Sequence, residues 1–183
     1  MRYALDPDPE APPLQNLALI LFHTQAPNYA FVDDLNHLYQ LRLSRQTDLA
    51  IATPGWPHYA FNDLLNKISY HLVERPLTHS DTHTVPIPPF WPPLHKMLFI
   101  IGDFSQSIAD RMLDEFSLLP PEPDPIDLAA SARHAILRTL HQDFTPVSSI
   151  DINSQLPPSA SKKAQREYAE NQQFLFSIVD LIC

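Results

Sequence analysis

Twenty prolines against two glycines restrict this chain of 183 residues more than any other feature. Proline fixes φ and removes a backbone donor, whereas glycine enters left-handed conformations at little cost. Phosphate-cradling loops and dinucleotide turns need several glycines at fixed spacing, and the sequence holds neither fingerprint. The prolines gather at 7–13, 86–93, 120–125 and 157–158 and divide the chain into segments. Regular structure is therefore expected between these clusters.

Two short apolar runs stand out, Leu17-Ala18-Leu19-Ile20-Leu21-Phe22 and Met97-Leu98-Phe99-Ile100-Ile101. Neither alternates, so each reads as a strand covered on both faces. Between them, Asn28 opens a helix with Phe31, Leu35, Leu38 and Tyr39 on one face. A weak strand over 48–52 ends at Pro54-Gly55-Trp56-Pro57. Residues 58–62 and 68–73 alternate as two hairpin strands, and the short connection predicts antiparallel pairing. The stretch from Pro76 to Pro93 lacks ladder donors and predicts a long loop. After Gly102-Asp103 a helix presents Ile108, Met112 and Phe116, with Asp103 or Ser105 as its cap. Residues 126–144 predict a helix through Ala129, Ala132, Ile136 and Leu140, residues 146–152 a last strand, and 161–182 a helix with Phe174, Ile178, Leu181 and Ile182 aligned.

These elements predict an α+β, mixed α/β fold: one mainly antiparallel mixed sheet with helices packed on it, plus a C-terminal helix. The expected organisation is a proline-rich segment at 1–13, a core domain at 14–153 and a helical tail at 154–183. With 44% apolar and 18% charged residues, burial is able to offset ordering entropy over most of the chain. The net charge of −9 repels phosphate backbones and anionic lipids, so neither nucleic acid nor membrane is an expected partner. The one cysteine, Cys183, precludes an internal disulfide, and the N-terminal residues turn acidic and proline-rich where a signal peptide would be apolar. A cytoplasmic location is the expectation.

The order of strand, polar turn, helix, weak strand, hairpin, proline-bounded loop, strand and helix resembles the IPExxxVDY family of small bacterial proteins. The likeness spans Leu17 to Leu119 and is carried by the helix within His23–Leu49, the hairpin through His71, and Phe99-Ile100-Ile101-Gly102. The motif itself departs from the family: Ile87-Pro88 is followed by Pro89 where glutamate is usual, and Leu94-His95-Lys96-Met97 lacks its aspartate and tyrosine. The resemblance implies a bacterial, cytoplasmic α/β domain and brings no assigned activity.

Three groups of side chains suggest chemistry. His79, Asp81 and His83 alternate, so in an extended segment two imidazoles and a carboxylate share one side and suit a divalent transition metal. Solvated loop residues are the plainer account. His23 and Asn28 follow one buried strand, and Asp103 and Ser105 follow the other; if those strands lie parallel and adjacent, the four line a pocket beyond their ends. Helix capping explains Asn28, Asp103 and Ser105 equally well. Phe90 and Trp91 in the proline loop, with Phe174 and Ile178 on the last helix, form a third group, suited to a protein partner or a homodimer. The helix docking on its own domain is the alternative. His58 and His71 are able to face each other across the hairpin, and exposed strand histidines are expected there. No serine sits in a nucleophile elbow, and Asp33 and Asp34 point about 100° apart on a helix. The expected function is therefore a non-enzymatic interaction or self-associating module without a cofactor. The rival is a small metal-dependent or His/Asp-based hydrolase.

Overall fold

The computed structural model describes residues 16–22, 24, 26–53, 55–75, 82–83, 96–118, 121–124, 126–143 and 161–182. Both apolar runs become strands, β1 (Leu17–Phe22) and, later in the chain, β7 (Lys96–Gly102). All six side chains of β1 are buried, as a doubly covered strand requires. Five strands form one antiparallel sheet in the order β1-β7-β5-β4-β2, where β2 is Ser44–Arg45, β4 His58–Asp63 and β5 Ile68–Glu74. β7 thus lies inside the sheet. β1 ends the ladder on one side, yet Ala18 to Leu21 have no exposed surface.

The predicted 48–52 strand is shorter and lies elsewhere. Leu49 makes one bridge to Trp56, and only Ala52–Thr53 (β3) forms a strand, pairing with Thr82–His83 (β6) in a separate two-stranded sheet. The expected loop from Pro76 to Pro93 therefore contains one short strand; its other residues, and the strand expected at 146–152, lie outside the described residues.

Alternation in β5 and β7 sends Tyr70, Leu72, Leu98 and Ile100 to one face, with Val73, Met97 and Phe99 on the other. The first face is covered by α1 (Asn28–Tyr39), α2 (Ser105–Ser117) and α3 (Leu128–Asp143). Phe22 joins them, meeting Phe31 and Phe116 edge to face at centroid distances of 4.9 and 5.6 Å. In α3, Ile136 and Leu140 of the expected stripe pack on the core together with Leu137, whereas Ala129 and Ala132, nearer the helix start, are exposed. The second face is covered by α4 (Lys162–Ile182) through Phe174, Leu175 and Ile178, with Trp56 against Phe174 at 6.2 Å.

The N-caps differ from expectation too. α1 begins after Pro27 and α2 after Phe104, and neither start has a side-chain cap. Asn28 is already helical, and its amide is engaged at long range instead. Asp103 accepts a hydrogen bond from Asn16 at 3.1 Å, and Ser105 is buried within the first helical turn. No helix among the described residues is long and apolar enough to cross a membrane.

Candidate functional site

The antiparallel pairing of β1 with β7 breaks up the expected pocket. Phe22, which precedes His23, lies opposite Lys96, whereas Leu17 lies opposite Ile101. The end of β1 and the end of β7 therefore point in opposite directions, separated by about 16–20 Å of strand at roughly 3.3 Å per residue. Asn28 belongs to the first end, Asp103 and Ser105 to the second, and they cannot converge; His23 lies outside the described residues. Of the expected metal set, His79 and Asp81 lie outside the described residues, and His83 pairs with Ala52 through the backbone. Among the described residues no three His, Cys, Asp or Glu side chains gather to hold a metal ion.

Phe174 and Ile178 are also not available as a partner contact, because they are 1% and 0% exposed against the chain's own sheet. The amphipathic last helix found its cover in cis. Phe90 and Trp91 lie outside the described residues.

Three polar or exposed clusters replace those expectations. At one end of the sheet, the Lys96 ammonium donates to Asn28 Oδ1 at 2.8 Å and Glu74 Oε1 at 3.2 Å and lies 5.6 Å from the Phe31 ring centre. Asn28 Nδ2 completes the ring by donating to Glu74 Oε2. Lys96 is 1% exposed; burial pushes its pKa down, and the Glu74 carboxylate holds it up. The register Glu74↔Lys96 puts the two side chains together, and α1 brings Asn28 over them. Every strong partner in this ring is used, which makes it a tie between α1 and the sheet.

On the opposite face, His58 Nε2 lies 3.1 Å from His71 Nδ1, with the rings stacked at 5.4 Å. The two do face each other, but as buried residues, where exposed histidines were expected. Their positions are diagonal, because His58 pairs with Val73 and His71 with Ala60. Burial lowers both pKa values, His71 to about 4, with His58 adding to the effect on His71 and Arg45 to that on His58. A neutral pair shares one proton between its facing nitrogens, one donating and the other accepting. In that state it is a satisfied core contact.

The third cluster is apolar and exposed. Asp63, Ile68 and Gly102 are neighbours across β4, β5 and β7, so the turn after β4 and the turn after β7 sit side by side. Leu64 and Leu65 stand on the first turn at 86% and 95% exposure, and Phe104 on the second at 79%. Asp63 fixes the first turn, its carboxylate accepting from the Leu65 and Asn66 amides at 3.1 Å and from Asn66 Nδ2 at 2.7 Å. The two turns touch: a Cβ on Gly102, at φ 134°, would lie 2.3 Å from the Lys67 carbonyl oxygen. One of the chain's two glycines is thus spent on bringing these loops together. Exposed leucines beside a hairpin and a phenylalanine after Gly102-Asp103 were visible in the sequence, but their adjacency depends on strand order. Comparison with family models, curated proteins and solved structures finds no match to this chain.

Proposed function

We propose that this chain is a non-enzymatic protein-interaction module whose contact surface is the sheet end carrying Leu64, Leu65 and Phe104. The observation that carries the reading is Phe104. It holds a left-handed backbone at φ 66°, a conformation that costs an L-residue on the order of 1–2 kcal/mol, and it exposes most of its ring. The backbone conformation turns the chain from β7 into α2, where the Phe104 carbonyl accepts from the Ile108 amide at 3.0 Å, while the side chain stays largely exposed. A rigid apolar side chain loses little entropy when it is covered, so burying the exposed Phe104 ring favours association.

Tyr29, Leu118, Ile126 and Leu128 are exposed as well, but none of them stands on two turns held together by a close backbone contact, as Leu64, Leu65 and Phe104 do. The helices of the chain itself cover both faces of the sheet, and of the stripe expected on the last helix Phe174 and Ile178 are buried and Ile182 partly so, while Leu181 is exposed. Self-association through the same surface works against the net charge of −9, which favours a different protein as the partner.

A photo-crosslinking residue placed at position 65, with a control at Lys162 on the exposed start of α4, tests the reading in cells. The expected result is a discrete adduct from position 65 alone, heavier than the chain by something other than its own mass, and lost on Phe104→Ser with Leu64→Asp. An adduct of twice the chain's mass would make the partner a second copy. Equal labelling at both positions, or monomer alone, would refute the proposal.

A further inference from the structure

A separate cleft lies between the end of α1, the outer faces of α2 and α3, and β5. Its volume is about 280 Å³, just below the roughly 300 Å³ at which drug-sized pockets begin. Tyr39, Gln40, Tyr70, Arg111, Glu115 and Arg133 supply its polar lining. It is distinct from the apolar sheet end.

The charges in this cleft do not balance. Glu115 is consumed: its Oε2 accepts from Arg133 Nη2 at 2.5 Å and from the Tyr39 hydroxyl at 3.1 Å. Arg133 is consumed in turn, since Nη1 donates to the Leu38 carbonyl at 2.5 Å and the guanidinium lies 5.7 Å from the Tyr39 ring centre. Arg111 forms no ion pair with any described residue, and it is exposed at the mouth of the cleft. Burial pushes both phenols up, joined by Glu115 at Tyr39 and by Asp63 at Tyr70, and the charge of Arg111 opposes that push at both. Among the cleft's lining residues, Arg111 is therefore a cation without an ion pair, in a chain of net charge −9.

We infer that this cleft binds a small oxyanion, a phosphate or carboxylate group on a compact carrier, with Arg111 as its principal contact. Guanidinium matches the paired oxygens of either group with parallel N–H donors. The ion pair of Glu115 with Arg133 neutralises the one carboxylate in the lining, so that Asp63, which reaches Tyr70 from outside the lining, is the carboxylate left to weaken anion binding. The Tyr39 and Tyr70 side chains form part of its wall.

Titration of ¹⁵N-labelled full chain with inorganic phosphate, and separately with malonate, at constant ionic strength tests this inference. Saturable shifts of the Arg111 Nε–H and Gln40 amide signals are expected, with an apparent Kd at least ~5-fold weaker in Arg111→Gln. Arg138→Gln, which removes an exposed arginine outside the cleft, should leave binding unchanged. Saturation by phosphate alone identifies a phosphoryl ligand, and by malonate alone a carboxylate ligand. Failure of both probes to saturate, a smaller loss in Arg111→Gln, or an equal loss in Arg138→Gln would overturn the inference.

Discussion

Replacing His71 by leucine should remove much of the chain's sensitivity to mild acid. His71 is 6% exposed, stacks on His58, and has its pKa depressed to about 4 from the ordinary 6.5. Between those two values the unfolded chain takes up a proton that the folded chain refuses. Stability is therefore unaffected above pH 6.5 and falls as the pH drops from 6.5 towards 4. At 1.36 kcal/mol per pH unit the full gap is worth roughly 3 kcal/mol, of which about 2.5 kcal/mol is lost by pH 4.5. Urea unfolding of the wild type and of His71→Leu at pH 7.5 and 4.5, followed by tryptophan fluorescence, reads this directly. Carboxylates titrate in both proteins and cancel in the comparison. The wild type should lose more stability than the variant between the two pH values, by about 2 kcal/mol. Parallel losses in the two proteins would refute the buried neutral pair.

Two further outcomes follow from the same geometry. Lys96→Met leaves the Glu74 carboxylate without its cation and should cost about 3 kcal/mol, and adding Glu74→Gln should restore most of that, both measured by urea denaturation. Gly102→Ala drives a methyl group into the Lys67 carbonyl at a backbone angle that alanine resists, and a loss of at least ~2 kcal/mol is expected in thermal unfolding.

The strands and helices were legible because their signals are local. Six apolar residues from Leu17 to Phe22 and five from Met97 to Ile101 leave little choice other than buried strands, and the spacing of Phe31, Leu35 and Leu38 sets a helix face. What failed depended on distant pairing. Asn28, Asp103 and Ser105 have the residue types of helix caps, but residue type does not say which donor is nearest. Glu74 and Lys96, 46 and 68 residues away, drew Asn28 to themselves. Lys96 went unread because a lysine at the start of a strand is ordinarily exposed, and only the Glu74 register and the α1 crossing bury it. The pocket of His23 and Asp103 rested on parallel strands, and one antiparallel ladder reversed it. His58 and His71 were placed on a common face by alternation, while their burial required the opposite face of the sheet to be covered.

With α4 lying over its own sheet, the second sheet face is covered in cis, and the Leu64, Leu65 and Phe104 end is one of the exposed apolar surfaces that remain. Isotope-filtered NOE spectroscopy on an equal mixture of ¹³C-labelled and unlabelled chains measures this most directly. Contacts between the Trp56 indole and the Phe174 ring, whose centres lie 6.2 Å apart, should appear within labelled molecules and be missing between labelled and unlabelled ones. A strong cross-peak between the two populations would contradict the account, because the helix would then cover a second copy.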